Sequence, residues 1–479
     1  MSPIGTTPDD REEVRTMVDM QIQPQTDTVE DYIRRGREHL WIHTQSFDEL
    51  DQDDAYLVVE GGQGVYLNDL HGRRYIDAMS GLWVVAAGHG RTELAEVARD
   101  QMEKLAFANP FAYATQPAVD LATKLAEVTP AGITRSFFVN GGAEAVETAI
   151  RMAKQWQYNR GETKRFKVLS RIGSYHGMTY AALSVNNAKG MNKTPFEPLM
   201  PGAVKFPGVS CEPCAQARPH EDCASLRGLD YLETLIESER PDTIAALITE
   251  PISTSSGSFM PHPDYWPRLR AICDRHGIVL IADEVINGFG RTGTWFAMEH
   301  FGVTPDLMTV AKQISSGYAP IAAVLASEKI SEGFRGDASK AFIGGSTFGA
   351  HPVSCAVALR NLEILQREHL VENSAKVGDY MKQQLQEMQS RHKIVSSVRG
   401  IGLMQVIDLK RDPEAGKEFT LDDDLSHLVP RFLREHGLLS RGGASIQVAP
   451  PLVINREEVD ELVDALDQTV SDIERHFSI

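Results

Sequence analysis

The chain has 479 residues, 42% hydrophobic and 24% charged, an ordinary globular composition in a chain too long for one simple core. Its 66 acidic residues against 48 lysines and arginines give a formal charge of −18, which repels nucleic acid and anionic membranes over most of the surface. The apolar runs fall far short of the roughly 20 residues of a membrane span. The start, MSPIGTTPDDREEVRTM, lacks a basic region followed by an apolar one, and five cysteines do not suggest a disulfide framework. These features point to a cytoplasmic protein.

Residues 1–26 are polar and aperiodic and read as a lead-in. Asp27 and Thr28 can cap a helix running to about Trp41. Between 56 and 77, short β-rich runs alternate with Gly61-Gly62, Gly64 and His71-Gly72, as in a β-meander. The segments SGLW (80–83) and GHGR (88–91) lead into a helix near 93–105. From about Pro117 helix alternates with apolar strand, the pattern of a parallel sheet wrapped by helices. Strands are expected at 135–139, 166–170, 244–249, 278–282, 307–310 and 321–326. A helix over 143–158 follows the first, with its apolar stripe at Val146, Ala149, Ile150 and Ala153.

After about His351 two long helices (352–366 and 373–392) precede short strands at 394–398 and 403–407. Helical segments near 421–436 and 456–476 flank a strand that ends in Val448-Ala449-Pro450-Pro451. The expected class is α/β, with a mainly parallel central sheet flanked by helices. The division is an N-terminal segment and meander (1–85), a large α/β domain (86–350) and a C-terminal α+β domain (351–479), both ends contributing to the smaller domain.

The run 278–282 (IVLIA) is solid enough for a strand buried on both faces and ends in Asp283, where open α/β sheets place their ligands. Lys312 follows a second such run and precedes a Ser-Ser-Gly turn. A lysine there is partly desolvated, which lowers its pKa and suits the amine to Schiff-base chemistry. A carboxylate there suits the nitrogen of a pyridinium ring, and the 29 positions between them leave room for a crossover helix. Asn140-Gly141-Gly142-Ala143-Glu144 opens a helix directly after a strand, so its backbone N–H groups and the helix dipole favour a phosphate.

Three stretches then carry a family resemblance: DEVINGFGRTG (283–293), PDLMTVAKQISSGYAP (305–320) and STFGAHP (346–352). In this order they resemble the class III aminotransferases, pyridoxal-phosphate enzymes of fold type I, over nearly the whole chain. The resemblance implies that Lys312 binds the cofactor covalently and shuttles the α-proton, and that Asp283 pairs with the pyridine nitrogen. It puts Val285 and Tyr175 on opposite ring faces, Gly142 and Ala143 at the phosphate, and Glu250 near the ring hydroxyl. Thr347 would reach the phosphate of a partner subunit, making the active unit a homodimer or a dimer of dimers. Gly141, Ser253 and Gly344 depart from residues common in relatives.

The segments around Trp83 and Arg441 look like the ω-transaminase branch that uses pyruvate as acceptor. Trp83 would wall the substrate pocket, and Arg441 would clamp the carboxylate of pyruvate or alanine. The amine donor would be an ω-amino acid, an aminosulfonate or a plain amine. A pyridoxal-phosphate isomerase, epimerase or decarboxylase shares the first chemical step, and a non-catalytic binding protein could share the fold. Cys211, Cys214, His220 and Cys223 have zinc-ligand spacing, but this family usually needs no zinc and no metal is expected.

Overall fold

The computed structural model describes residues 28–51, 56–188, 190–211 and 223–479. They form two compact units, one of residues up to 61 with 67–74, the other of residues 62–66 with 75–479. In the first, the helix Val29–His39 starts at Thr28, whose hydroxyl accepts from Asp31 N while the Asp31 carboxylate accepts from Thr28 N. That reciprocal cap satisfies two backbone donors the helix itself cannot.

The second unit is built on a seven-stranded sheet. Its spatial order is Ile133–Val139, Ala322–Ser327, Leu307–Val310, Val279–Asp283, Ile244–Thr249, Lys167–Arg171 and Ala203–Phe206. Ala322–Ser327 runs antiparallel to both neighbours and the other four pairings are parallel. Every residue of Ile244–Thr249, Val279–Asp283 and Leu307–Val310 is buried, which is why these strands read as continuous apolar runs. The expected crossover helix between Val279–Asp283 and Leu307–Val310 is instead an irregular loop with one 3-10 turn, Ala297–Phe301. Gly290 (φ 98°) and Gly293 (φ 87°) hold backbone there that no α-helix provides.

A second sheet joins Val395–Ile401, Met404–Leu409 and Ser445–Val448, all antiparallel. The helix Leu370–Gln389 packs on it at Gly378, where an added Cβ would lie 2.3 Å from the Gly402 carbonyl carbon. Gly402 in turn abuts the backbone at Arg291 and Thr292, so backbone meets backbone across the contact. Gly378→Ala is therefore expected to cost about 1–3 kcal/mol through overpacking, read as a lower midpoint in denaturant. Among the described residues no helix is long and apolar enough to cross a membrane.

Candidate active site

Val279–Asp283 and Leu307–Val310 lie side by side with Asp283 opposite Thr309, which brings Asp283 and the segment at Lys312 to one edge of the sheet. Asp283 is 4% exposed. Its Oδ1 accepts from Thr309 Oγ1 (2.9 Å) and Val285 N (3.1 Å), and its Oδ2 lies 2.7 Å from His176 Nδ1. His176 was not singled out from sequence; its place after the buried strand Lys167–Arg171, two strands from Asp283, was the available signal. Its Nε2 is buried without a hydrogen-bond partner, 3.9 Å from Glu250 Oε2.

Lys312 opens a 3-10 turn, Lys312–Ile314, with φ 52° in the left-handed region, so the lysine is held in strained backbone. The turn is fixed from behind by buried Asn361. Its Nδ2 donates to Gln313 O (2.8 Å) and Ile314 O (3.0 Å), and its Oδ1 accepts from Ser316 Oγ (2.6 Å). The same Ser316 hydroxyl accepts from Ala86 N (3.2 Å) and Ala87 N (2.9 Å), tying the segment after Trp83 to the lysine turn. The half-buried Lys312 amine sits 5.3 Å from the centroid of the Trp83 ring. Burial pulls it down to about 8, against the opposing pull of Asp283 and with help from the positive charges of Arg441 and Arg291.

The helix Gly142–Asn159 begins at Gly141 without any side-chain cap, leaving first-turn N–H groups for another acceptor. A Cβ on Gly142 would stand 3.0 Å from Val285 Cγ1 and 3.6 Å from Ala311 Cβ, so this turn lies against both the Asp283 and the Lys312 segments. Gly177 (φ 120°) closes over it, 2.6 Å from Ala143 Cβ if it carried a Cβ of its own. Glu144 turns back to bond Asn140 N (2.8 Å), and Asn140 Nδ2 donates to Ser346 Oγ (2.7 Å). Thr347, the next residue, is exposed.

Glu250, 7% exposed, accepts through Oε1 from Tyr175 N (3.2 Å) and Ser253 Oγ (3.0 Å). Ser253, a departure from the family pattern, is thus a donor to the Glu250 carboxylate. The Tyr175 ring is 38% exposed, and burial raises its phenol above the ordinary value while Arg441 opposes the rise. Arg441 is exposed, and its guanidinium forms no hydrogen bond or ion pair among the described residues, yet its charge bears on both Tyr175 and Lys312.

Two buried polar groups behind the site brace the intervening loop. The Glu284 carboxyl, pushed up to about 8 by burial, accepts from Ala297 N (3.1 Å) and Met298 N (2.8 Å). Arg291, pulled down to about 9 by burial, donates to Leu403 O, Pro450 O and Ser80 Oγ. Neither was read from sequence as more than part of a motif.

Of the zinc-spaced quartet, Cys211 and Cys223 are buried, while Cys214 and His220 lie outside the described residues. Among the described residues no group of three or more potential ligands could hold a metal.

The set fits pyridoxal phosphate: an uncapped helix start suits a phosphate, a buried carboxylate a ring nitrogen and a desolvated amine an aldehyde. The family model for class-III aminotransferases matches residues 49–470. A probable aminotransferase of Mycobacterium tuberculosis is 39% identical, covering 92% of this chain and 94% of its own. The putrescine–pyruvate aminotransferase of Pseudomonas aeruginosa is 34% identical over 91% of this chain and 96% of its own. The crystal structure of a thermostable (S)-enantioselective omega-transaminase from Thermomicrobium roseum is 37% identical, covers 94% of this chain and 100% of that one, and superposes with a TM-score of 0.87. The chain belongs to the class-III aminotransferases, enzymes that move amino groups with pyridoxal phosphate.

Proposed function

We propose that this enzyme takes the amino group of an ω-amino acid, aminosulfonate or amine and passes it to pyruvate, giving alanine. The observation that carries the reading is Arg441: an exposed guanidinium without a partner among the described residues, bearing on Lys312 and Tyr175. A carboxylate is the ligand such a group binds best, by two parallel charge-assisted hydrogen bonds. The likeness to a putrescine–pyruvate aminotransferase supports pyruvate as the acceptor.

Bound pyridoxal phosphate supplies an electron sink for the carbon that carries the amino group. Lys312 would hold the cofactor, and its amine, which burial favours in the neutral form, would take the proton from that carbon. Asp283, oriented by Thr309, Val285 N and His176, would pair with the ring nitrogen. Gly142 and Ala143 would offer N–H groups to the phosphate, Tyr175 and Val285 would cover the ring faces, and Glu250 would stand at the hydroxyl side. Trp83 walls the substrate space beside the amine. Arg441 holds the acceptor carboxylate in one half-reaction and yields to an uncharged donor in the other.

The same reading makes the active unit a dimer, with Thr347 reaching the partner's phosphate. Exposed apolar side chains on the same and neighbouring segments, Phe107, Phe111, Ile343 and Phe348, support a second copy covering this face. Cys273 and Cys355 are buried free thiols, which agrees with a cytoplasmic setting.

Arg441→Ala is expected to raise the KM for pyruvate about 10–100-fold, the loss of one or two charge-assisted hydrogen bonds, while the absorbance of bound cofactor stays as it was. Alanine formed from pyruvate and a panel of amines is the assay. Unchanged pyruvate kinetics would sink the clamp.

A further inference from the structure

Trp83 is 8% exposed and lies over the Lys312 amine, but nothing in its own backbone favours that place. The short turn Ser80–Trp83 that carries it has φ 45° at Ser80, 66° at Gly81 and 55° at Trp83, three left-handed residues among four. Serine and tryptophan avoid this region, so the turn persists only if its surroundings over-determine it. At Gly81, beyond its chain neighbours and its own helix backbone, no atom of the described residues stands within 4 Å of an added Cβ, so glycine is present for its φ and not for want of space.

What holds the turn is a pair of buried, opposite charges. Asp77, 1% exposed, accepts from Gly81 N at 2.8 and 2.7 Å through its two oxygens, and more weakly from Met79 N. His89 Nε2 meets the same carboxylate at 2.8 Å, and His89 is itself pinned by a two-way backbone bridge to Gly64. From the other charge, Arg291 Nη2 donates to Ser80 Oγ, which donates to Ala449 O at 2.6 Å. Asp77 stands at the end of a strand paired with Leu438–Leu439, so the grip is anchored in a sheet.

We propose that Asp77 is a positioning residue: its carboxylate, held by His89, grips the Gly81 N–H and keeps the left-handed turn folded so that the Trp83 indole lies over the Lys312 amine. Asp77 touches no reacting atom in this assignment. Its effect on the reaction is exerted through Trp83 and sets the size of amine admitted, a consequence that rests on the reading of Trp83 as the pocket wall.

The test separates position from catalysis. The holoenzyme labelled with fluorotryptophan carries five tryptophans, and the Trp83 fluorine resonance is assigned with W83F. D77A is expected to shift or broaden that resonance while buried Trp266 stays in place, and D77N, which keeps an acceptor oxygen, to do so less. A Trp83 resonance that stays put in D77N and D77A overturns the proposal, as does one that moves only together with Trp266. In parallel, kcat/KM is compared for a small amine and a bulky aryl amine with pyruvate. W83A is expected to raise the bulky-to-small ratio about tenfold or more. D77A should raise it in the same direction, and the double variant should show no further rise, because both changes act through one ring. Equal further effects of D77A with and without Trp83 overturn the proposal. A resonance that moves in D77A, with W83A leaving the ratio unchanged, upholds the positioning role and refutes Trp83 as the wall.

Discussion

Lys312→Ala is expected to lower turnover about 10⁴-fold or more and to abolish the absorbance of covalently held cofactor. Among the described residues the other deeply desolvated amine, Lys205, is pulled to about 7 but donates to Ser170 Oγ (2.7 Å) and Ser184 O (2.9 Å), so it is not placed to substitute. The fold should survive the change. The Lys312 amine has its folded pKa lowered to about 8 from an ordinary value near 10.5, so the protonated form is penalised in full below pH 8 and relieved between 8 and 10.5. Removing it deletes that penalty, and the cofactor-free variant should melt no lower than the parent at pH 7. Retained turnover with the absorbance band intact would refute the assignment, whereas a loss of folding would show a structural lysine.

Asp283→Asn is the second large effect. The substitution keeps volume and leaves an oxygen for Thr309 and Val285 N, but removes the charge that a protonated ring nitrogen requires. Turnover is expected to fall about 10²–10³-fold, comparable with the loss of another preorganised electrostatic partner. Cofactor should still attach to Lys312, so the absorbance band persists while its pH dependence changes. Asp283→Ala goes further: it strands His176 Nδ1 and the Thr309 hydroxyl in a buried site, at about 1–3 kcal/mol of stability for an orphaned buried group. Turnover within tenfold of the parent in Asp283→Asn would remove Asp283 from the chemistry.

The strands that frame the site were legible because burial on both faces forces uninterrupted apolar runs, as at 244–249, 278–282 and 307–310. Ala203–Phe206 was not read as a strand: it is the sheet's edge, with three of its four residues only partly buried, so its pattern is diluted. The loop between Asp283 and Lys312 was misjudged as a helical crossover because spacing measures reach and not conformation; its glycines and the capping of Ala297–Phe301 by Glu284 decide otherwise.

The candidate site divides in the same way. The residues proposed to face the cofactor or substrate, Asp283, Lys312, Gly142, Tyr175 and Arg441, stand next to turn and strand signals or in recognisable motifs. Residues that hold those in place have no such signature. Asn361 lies inside the helix Pro352–Arg367 and looks like any polar residue there, yet its amide bonds both Gln313 and Ile314 carbonyls across 47 and 48 positions of chain. His176 and Arg291 are of the same kind, each defined by a partner remote in sequence.

By itself, then, the sequence determined the alternating α/β architecture, the two buried strand ends at Asp283 and Lys312 and the family to which their motifs belong, because periodic burial and short turn motifs are local properties. Only the tertiary structure decided how those ends are held: a lysine amine desolvated to about 8, a carboxylate oriented by three donors and a tryptophan kept over the amine by left-handed backbone. Desolvation, hydrogen-bond geometry and strain depend on what lies across space from a residue, and chain order records none of the three.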